Sequence, residues 1–125
     1  MIWLPTLAQT MVLHEKMARR TGGSAAVRDA GLVESAIMRA NAEFDGFEAY
    51  PTAAQKAAAV CCGLIGNHGF VDGNKRTGVA AMLLVLRKNG LSPRYTQAEL
   101  IRLGMDAAQG LADVEDVTAW IESHL

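Results

Sequence analysis

The sequence predicts an all-α fold: a bundle of five to six helices with a small β-hairpin flap, in one domain over residues 1–125. Three observations predict it. Apolar side chains recur at intervals of three and four residues, the period of a helix face. Capping residues stand just ahead of those segments: Asp29, Asp113, Thr52 with Gln55 three residues on, and Thr96 with Glu99. Glycines stand just behind them, at Gly22, Gly90 and Gly110, where a helix end favours left-handed backbone.

The first helix is expected over 5–20. Pro5 suits a first turn, where its missing N–H costs nothing. Leu7, Met11, His14 and Ala18 share one face, and Thr21-Gly22-Gly23 ends the helix. A short second helix follows Asp29, with Leu32, Val33, Ala36, Ile37 and Ala40 as its apolar stripe. Next come Phe44-Asp45-Gly46-Phe47 and Tyr50-Pro51. Asp-Gly between apolar residues signals a tight hairpin, read here as an exposed flap. The third helix, over 53–66, is rich in alanine, so neighbours can approach it closely. The fourth begins near Gly73 and ends near Asn89. No side chain from 78 to 86 is polar, which places this helix in the middle of the bundle. A fifth is expected over 97–109. The last follows Asp113, with Val114, Val117, Trp120, Ile121 and Leu125 on one face.

Composition narrows the function. Half the chain is hydrophobic and 20% is charged, as in a globular domain able to bury one core unaided. Twelve basic and thirteen acidic residues leave a net charge of −1, so no bulk field favours nucleic acid or an anionic membrane. Any anion site must be local. The adjacent Cys61 and Cys62 point different ways on one helix and read as reduced, buried small hydrophobes. The N-terminus lacks a signal-peptide pattern, and the longest nonpolar run, 78–86, is too short to span a bilayer. A cytoplasmic protein is expected. Met11, Met17, Met38, Met82 and Met105 read as core filling.

One segment carries more chemistry than a turn requires: Asn67-His68-Gly69-Phe70-Val71-Asp72-Gly73-Asn74-Lys75-Arg76-Thr77. It joins the two most buried helices. The start of the fourth helix offers free backbone N–H groups and a positive dipole end. Gly73 lets an anion come close, Lys75 adds a point charge and Arg76 a bidentate fork: a phosphate cradle. Asp72 can hold magnesium, which takes one or two carboxylates plus phosphate oxygens. His68 brings an imidazole, the side chain that accepts protons near neutral pH. Metal, cradle and base are the parts needed to transfer a phosphorus group to a hydroxyl.

These residues resemble the signature of Fic/Doc proteins, broadly HxFx(D/E)(G/A)N(G/K)R, with every specified position matched in order and spacing from His68 to Arg76. Lys75 stands where AMP-transferring members have glycine, and Val79 where they carry a second arginine. With Arg28-Asp29-Ala30-Gly31-Leu32 and Glu34-Ser35-Ala36, this places the chain nearer the Doc (death-on-curing) branch. The resemblance implies a toxin of a toxin–antitoxin pair that transfers the γ-phosphate of ATP to a threonine of elongation factor Tu and halts translation. It implies a small Phd-like antitoxin over the active-site groove. His68 would be the base and Asp72 the magnesium ligand. Asn74, Lys75 and Arg76 would hold phosphates with the Gly73 backbone, and Thr77 would join the nucleotide contacts. Phe70 would anchor the loop. The flap residues Asp45, Gly46, Phe47 and Tyr50 would dock the target by strand addition. AMP or other nucleotide transfer, and an inactive partner-binding module, are the alternatives.

Plainer readings stand beside these. Alone, His68 would be a satisfied histidine at a helix C-terminus, and Asp72 a simple N-cap. Lys75 and Arg76 could be solvated, yet cations at a helix N-terminus are unfavourable without an anion. His14 reads as a buried structural histidine. Arg28 and Asp29 read as a loop salt bridge and cap. His124 sits at the frayed end with no role. Thr118-Ala119-Trp120-Ile121-Glu122-Ser123 is similar to the inhibitory (S/T)xxxE(G/N) motif of some Fic proteins. Ser123 departs from it, so the segment reads as an ordinary amphipathic helix.

Overall fold

The computed structural model describes residues 1–125. Its elements run α1 (Leu7–Thr21), α2 (Ala30–Met38), a 3-10 turn (Arg39–Asn41), β1 (Glu43–Phe44), β2 (Phe47–Glu48), α3 (Ala53–Asn67), α4 (Asn74–Lys88), α5 (Gln97–Ala108) and α6 (Val114–Ser123). The expected all-α bundle with one small hairpin is what forms.

Local chemistry sets most helix starts. Thr52–Gln55 and Thr96–Glu99 close reciprocal capping boxes at α3 and α5, and Asp29 caps α2. Two starts go beyond what the sequence predicts. Thr6, not the first turn around Pro5, opens α1 through a box with Gln9, leaving Pro5 buried just outside the helix. Asp113 opens α6 in a box closed by Asp116, an aspartate where glutamate or glutamine is usual. Five helices therefore have a side-chain cap. The exception is α4. Its N-cap is Gly73 at φ 80, ψ 16, with no side-chain cap, so Asp72 is not the cap.

Helix α3 is the axis. One face supplies Ala54, Ala57, Ala58, Cys61 and Ile65 to a cluster with Val79, Met82, Val85 and Leu86 of α4, and Val117 and Ile121 of α6. The other gives Ala59, Val60 and Leu64 to a cluster with Val33, Ala36 and Ile37 of α2 and with Phe70. The small residues do what their size suggests. A Cβ on Gly78 would lie 2.8 Å from Ile65 Cγ1 and 3.0 Å from the Cys61 carbonyl oxygen. Burial pushes the Cys61 thiol far above its ordinary value. Two methionines expected to fill the core do not: Met38 is 66% exposed and Met105 41%. Their helices turn those positions to solvent. No helix is long and apolar enough to cross a membrane.

The flap is an antiparallel pair with Phe44 opposite Phe47 and Glu43 opposite Glu48. Asp45 at φ 52 and Gly46 at φ 82 both adopt the left-handed region that a two-residue primed turn demands. Its base is held by a buried cation that the sequence pattern does not announce. Lys56, 2% exposed on α3, donates to the Ala40 carbonyl at 2.9 Å and pairs with Glu48 at 3.0 Å. The one available signal is its setting: a lysine within an alanine-rich buried run needs such partners.

Candidate active site

The loop between α3 and α4 is built from the backbone outward. His68 is the C-cap of α3, one residue past Asn67, at φ 51, ψ 45. This left-handed conformation costs a side-chain-bearing residue about 1–2 kcal/mol. The surroundings hold it. Arg28 and Asp29 donate their backbone N–H groups to the Gly69 carbonyl, both at 2.9 Å, and Val71 N–H donates to Ala26 at 3.1 Å. Gly69 must be a glycine here, because a Cβ would fall 2.5 Å from Val33 Cγ2. Past it, Phe70 turns inward to 2% exposure. His14 of α1 stacks on it, ring centroids 3.7 Å apart, and donates from Nε2 to the Asp72 carbonyl at 2.7 Å. His14 is therefore structural, as expected, and its contribution is specific. It fixes the backbone beneath Asp72.

Asn74 closes the loop. Its Oδ1 accepts from the Phe70 N–H and its Nδ2 donates to the Phe70 carbonyl, both at 3.0 Å. The side chain expected at the phosphates is thus turned back onto the loop, and only its backbone N–H is left for a ligand. Asp72 Oδ1 accepts from the Gly73 N–H at 2.9 Å. The N–H groups of Asn74, Lys75 and Arg76 have no acceptor within the chain. This is the free, positively polarised helix start that binds anions.

The side chains expected at the site divide by direction. Asp72, Gly73 and Arg76 line one crevice with His14, Thr21 and Gly23. Lys75 is exposed and lays its stem along α5, where a Cβ on Gly104 would lie 3.2 Å from Lys75 Cγ. His68 is exposed and lies outside that crevice, at the end of α3. Thr77 is not presented to a ligand: it is fully buried and its hydroxyl has no hydrogen-bond partner. It sits one residue past Arg76, where the helix turns into the core. On the flap, Asp45, Gly46 and Phe47 are exposed, Phe47 at 77%. Tyr50 instead is half-buried and lines a separate groove with Gln55, Val114 and Glu122.

Two residues at the site carry more than the sequence predicts for them. Arg28 makes no salt bridge: its guanidinium Nε donates to the His68 carbonyl at 2.8 Å. Gly23 faces Asp72 so closely that a Cβ would lie 2.6 Å from Oδ2. No group of three or more His, Cys, Asp or Glu side chains gathers at Asp72 to cage an ion. That donor set suits magnesium carried in with phosphate oxygens, not a metal caged by protein.

A helix start with free amides thus stands beside a basic pair and one carboxylate, with an imidazole at the end of the preceding helix. The chain belongs to the Fic/DOC family, whose model matches residues 4–86. It is 47% identical over 70 residues to "Toxin Doc" of Mycolicibacterium smegmatis, covering 56% of this chain and 54% of that protein. It is 31% identical over 109 residues to "Protein kinase doc" of Escherichia phage P1, covering 87% of this chain and 85% of that one.

Proposed function

We propose that this chain is a Doc-like toxin of a toxin–antitoxin pair. It transfers the γ-phosphate of ATP to a hydroxyl, a threonine of a translation factor such as elongation factor Tu, and so halts translation in the cytoplasm. The observation that carries the reading is the start of α4. Alone among the six α-helices it lacks a side-chain cap, and it offers three free amides beside Lys75, Arg76 and Asp72. The names of the two relatives, a toxin and a protein kinase, support the same reading.

In this reading the amides of Asn74, Lys75 and Arg76 grip phosphate oxygens, helped by the Arg76 fork and the Lys75 charge. Asp72 would hold magnesium, which when bound would supply positive charge against the phosphates. The exposed edge of the flap aligns the acceptor segment by strand addition. The His68 imidazole takes the proton of the acceptor hydroxyl. A bond forms from that oxygen to the γ-phosphorus, the bond to the β–γ bridging oxygen breaks, and ADP leaves. Val79 favours phosphate over AMP transfer. It stands three residues after Arg76 and is buried against the core, so no arginine at that position holds a nucleotide in the other orientation. A small Phd-like antitoxin over the groove supplies inhibition.

Expression in a bacterial host tests this. Growth arrest is expected, lost in His68→Ala, with a phosphate and not a nucleoside monophosphate found on the target by mass spectrometry. Equal harmlessness of both versions would leave only a partner-binding module.

A further inference from the structure

We infer that Arg28 is a positioning residue for the proposed base, holding His68 in its left-handed conformation through the carbonyls at the end of α3. The inference rests on the reading of His68 as the base. Helix α3 has no basic residue in its own last turn, so its final carbonyls and the negative end of its dipole lack the usual compensation. Arg28 supplies it from the segment ahead of α2. Its Nε donates to the His68 carbonyl at 2.8 Å. Its Nη2 donates to the same oxygen and to the Asn67 carbonyl at 3.3 Å. One planar fork thus grips the carbonyls of two successive residues, the second of which is His68. The side chain of Asn67 is tied down as well, donating to the Leu32 carbonyl at 2.9 Å and to Ser35 Oγ at 3.0 Å.

The geometry explains why a guanidinium and not an ammonium fits. Lysine is a point charge with no planar fork and cannot reproduce the two-nitrogen contact. His68 and Asp45 are the only residues other than glycine with positive φ, and Asp45 sits in a tight turn. His68 sits instead at the C-cap of α3. Its conformation is maintained by the backbone ladder to residues 26–29 and by this fork. Since the fork touches only the backbone of His68, it sets where the imidazole points and leaves the phosphate cradle on α4 alone.

The experiment uses the full chain with magnesium and ATP, reading label transfer to a translation extract and, separately, ATP affinity. Arg28→Ala is expected to lower the turnover rate about 100-fold, the scale of a misplaced catalytic group, with ATP affinity unchanged. Millimolar guanidinium ion should restore part of the rate. Arg28→Lys, which keeps the charge and serves if the alanine variant folds poorly, should restore little. Turnover unchanged in Arg28→Ala and Arg28→Lys while His68→Gln abolishes transfer overturns this inference and spares the base assignment. So does a loss of rate explained by lost ATP affinity. Transfer surviving in His68→Gln overturns both.

Discussion

Thr77 shows what a linear motif cannot say. The signature gives residues in order, and Thr77 follows the arginine directly, so it reads as a nucleotide contact. One more residue along α4 the helix has turned, and the side chain enters the core with its hydroxyl unpartnered. An unsatisfied buried hydroxyl costs about 1–3 kcal/mol. Thr77→Val keeps the shape and removes that cost. Thermal melting should show equal or greater stability and ATP affinity should not change; weaker ATP binding would restore Thr77 to the site. Asn74 teaches the same lesson, its amide spent on both backbone groups of Phe70. Gly23 is the converse, a residue with no motif to announce it. A Cβ there would fall 2.6 Å from Asp72 Oδ2, so Gly23→Ala must displace the carboxylate. A magnesium titration of label transfer should show a higher half-saturating concentration in that variant, and an unchanged curve would remove Asp72 from the metal.

Among the elements, helices with strong end signals were legible and their ties to one another were not. The capping boxes at Thr52 and Thr96 and the Asp-Gly turn of the flap form as their local chemistry requires. Local sequence carries that information because each contact spans three or four residues. The anchor of the flap on Lys56, and the tie between α5 and α6, join groups far apart in the chain. His124, expected to fray, stacks on Trp120 with ring centroids 4.0 Å apart and contacts Glu99 Oε2 at 2.8 Å. The hydrogen bond from His124, then those from Thr96, pull the Glu99 carboxyl down from 4.5 to about 2. Glu99, then the Trp120 carbonyl, raises His124 above its ordinary value of 6.5. The signs follow by linkage. The Glu99 contribution is complete above pH 4.5 and is lost as pH falls towards 2. The His124 contribution is complete below pH 6.5 and is lost as pH rises through its raised value. Melting temperatures of the wild type and His124→Gln should therefore differ most between pH 4.5 and 6.5 and converge on the alkaline side. A difference that persists unchanged onto the alkaline side would show that stacking, not charge, holds the end of α6.

At the scale of the molecule, α3 and α4 form a buried pair whose junction carries the site. The low bulk of α3 and the nonpolar run of α4 told this from the sequence, because a helix apolar on every side has only one place to go. What they did not tell is how the junction is braced. α1 reaches it through His14, and the segment before α2 through the Arg28 side chain and the Arg28 and Asp29 N–H groups on the Gly69 carbonyl. The site is thus a loop held by the whole fold, with a helix start of free amides on one side and an imidazole on the other. Its most direct test is label transfer by the purified chain, free of any inhibitory companion, in a translation extract with magnesium. ATP labelled at the γ-phosphate should mark a protein, ATP labelled at the α-phosphate should not, and His68→Gln should abolish the mark. Transfer of the α label, or γ transfer that survives the loss of His68, would contradict the account.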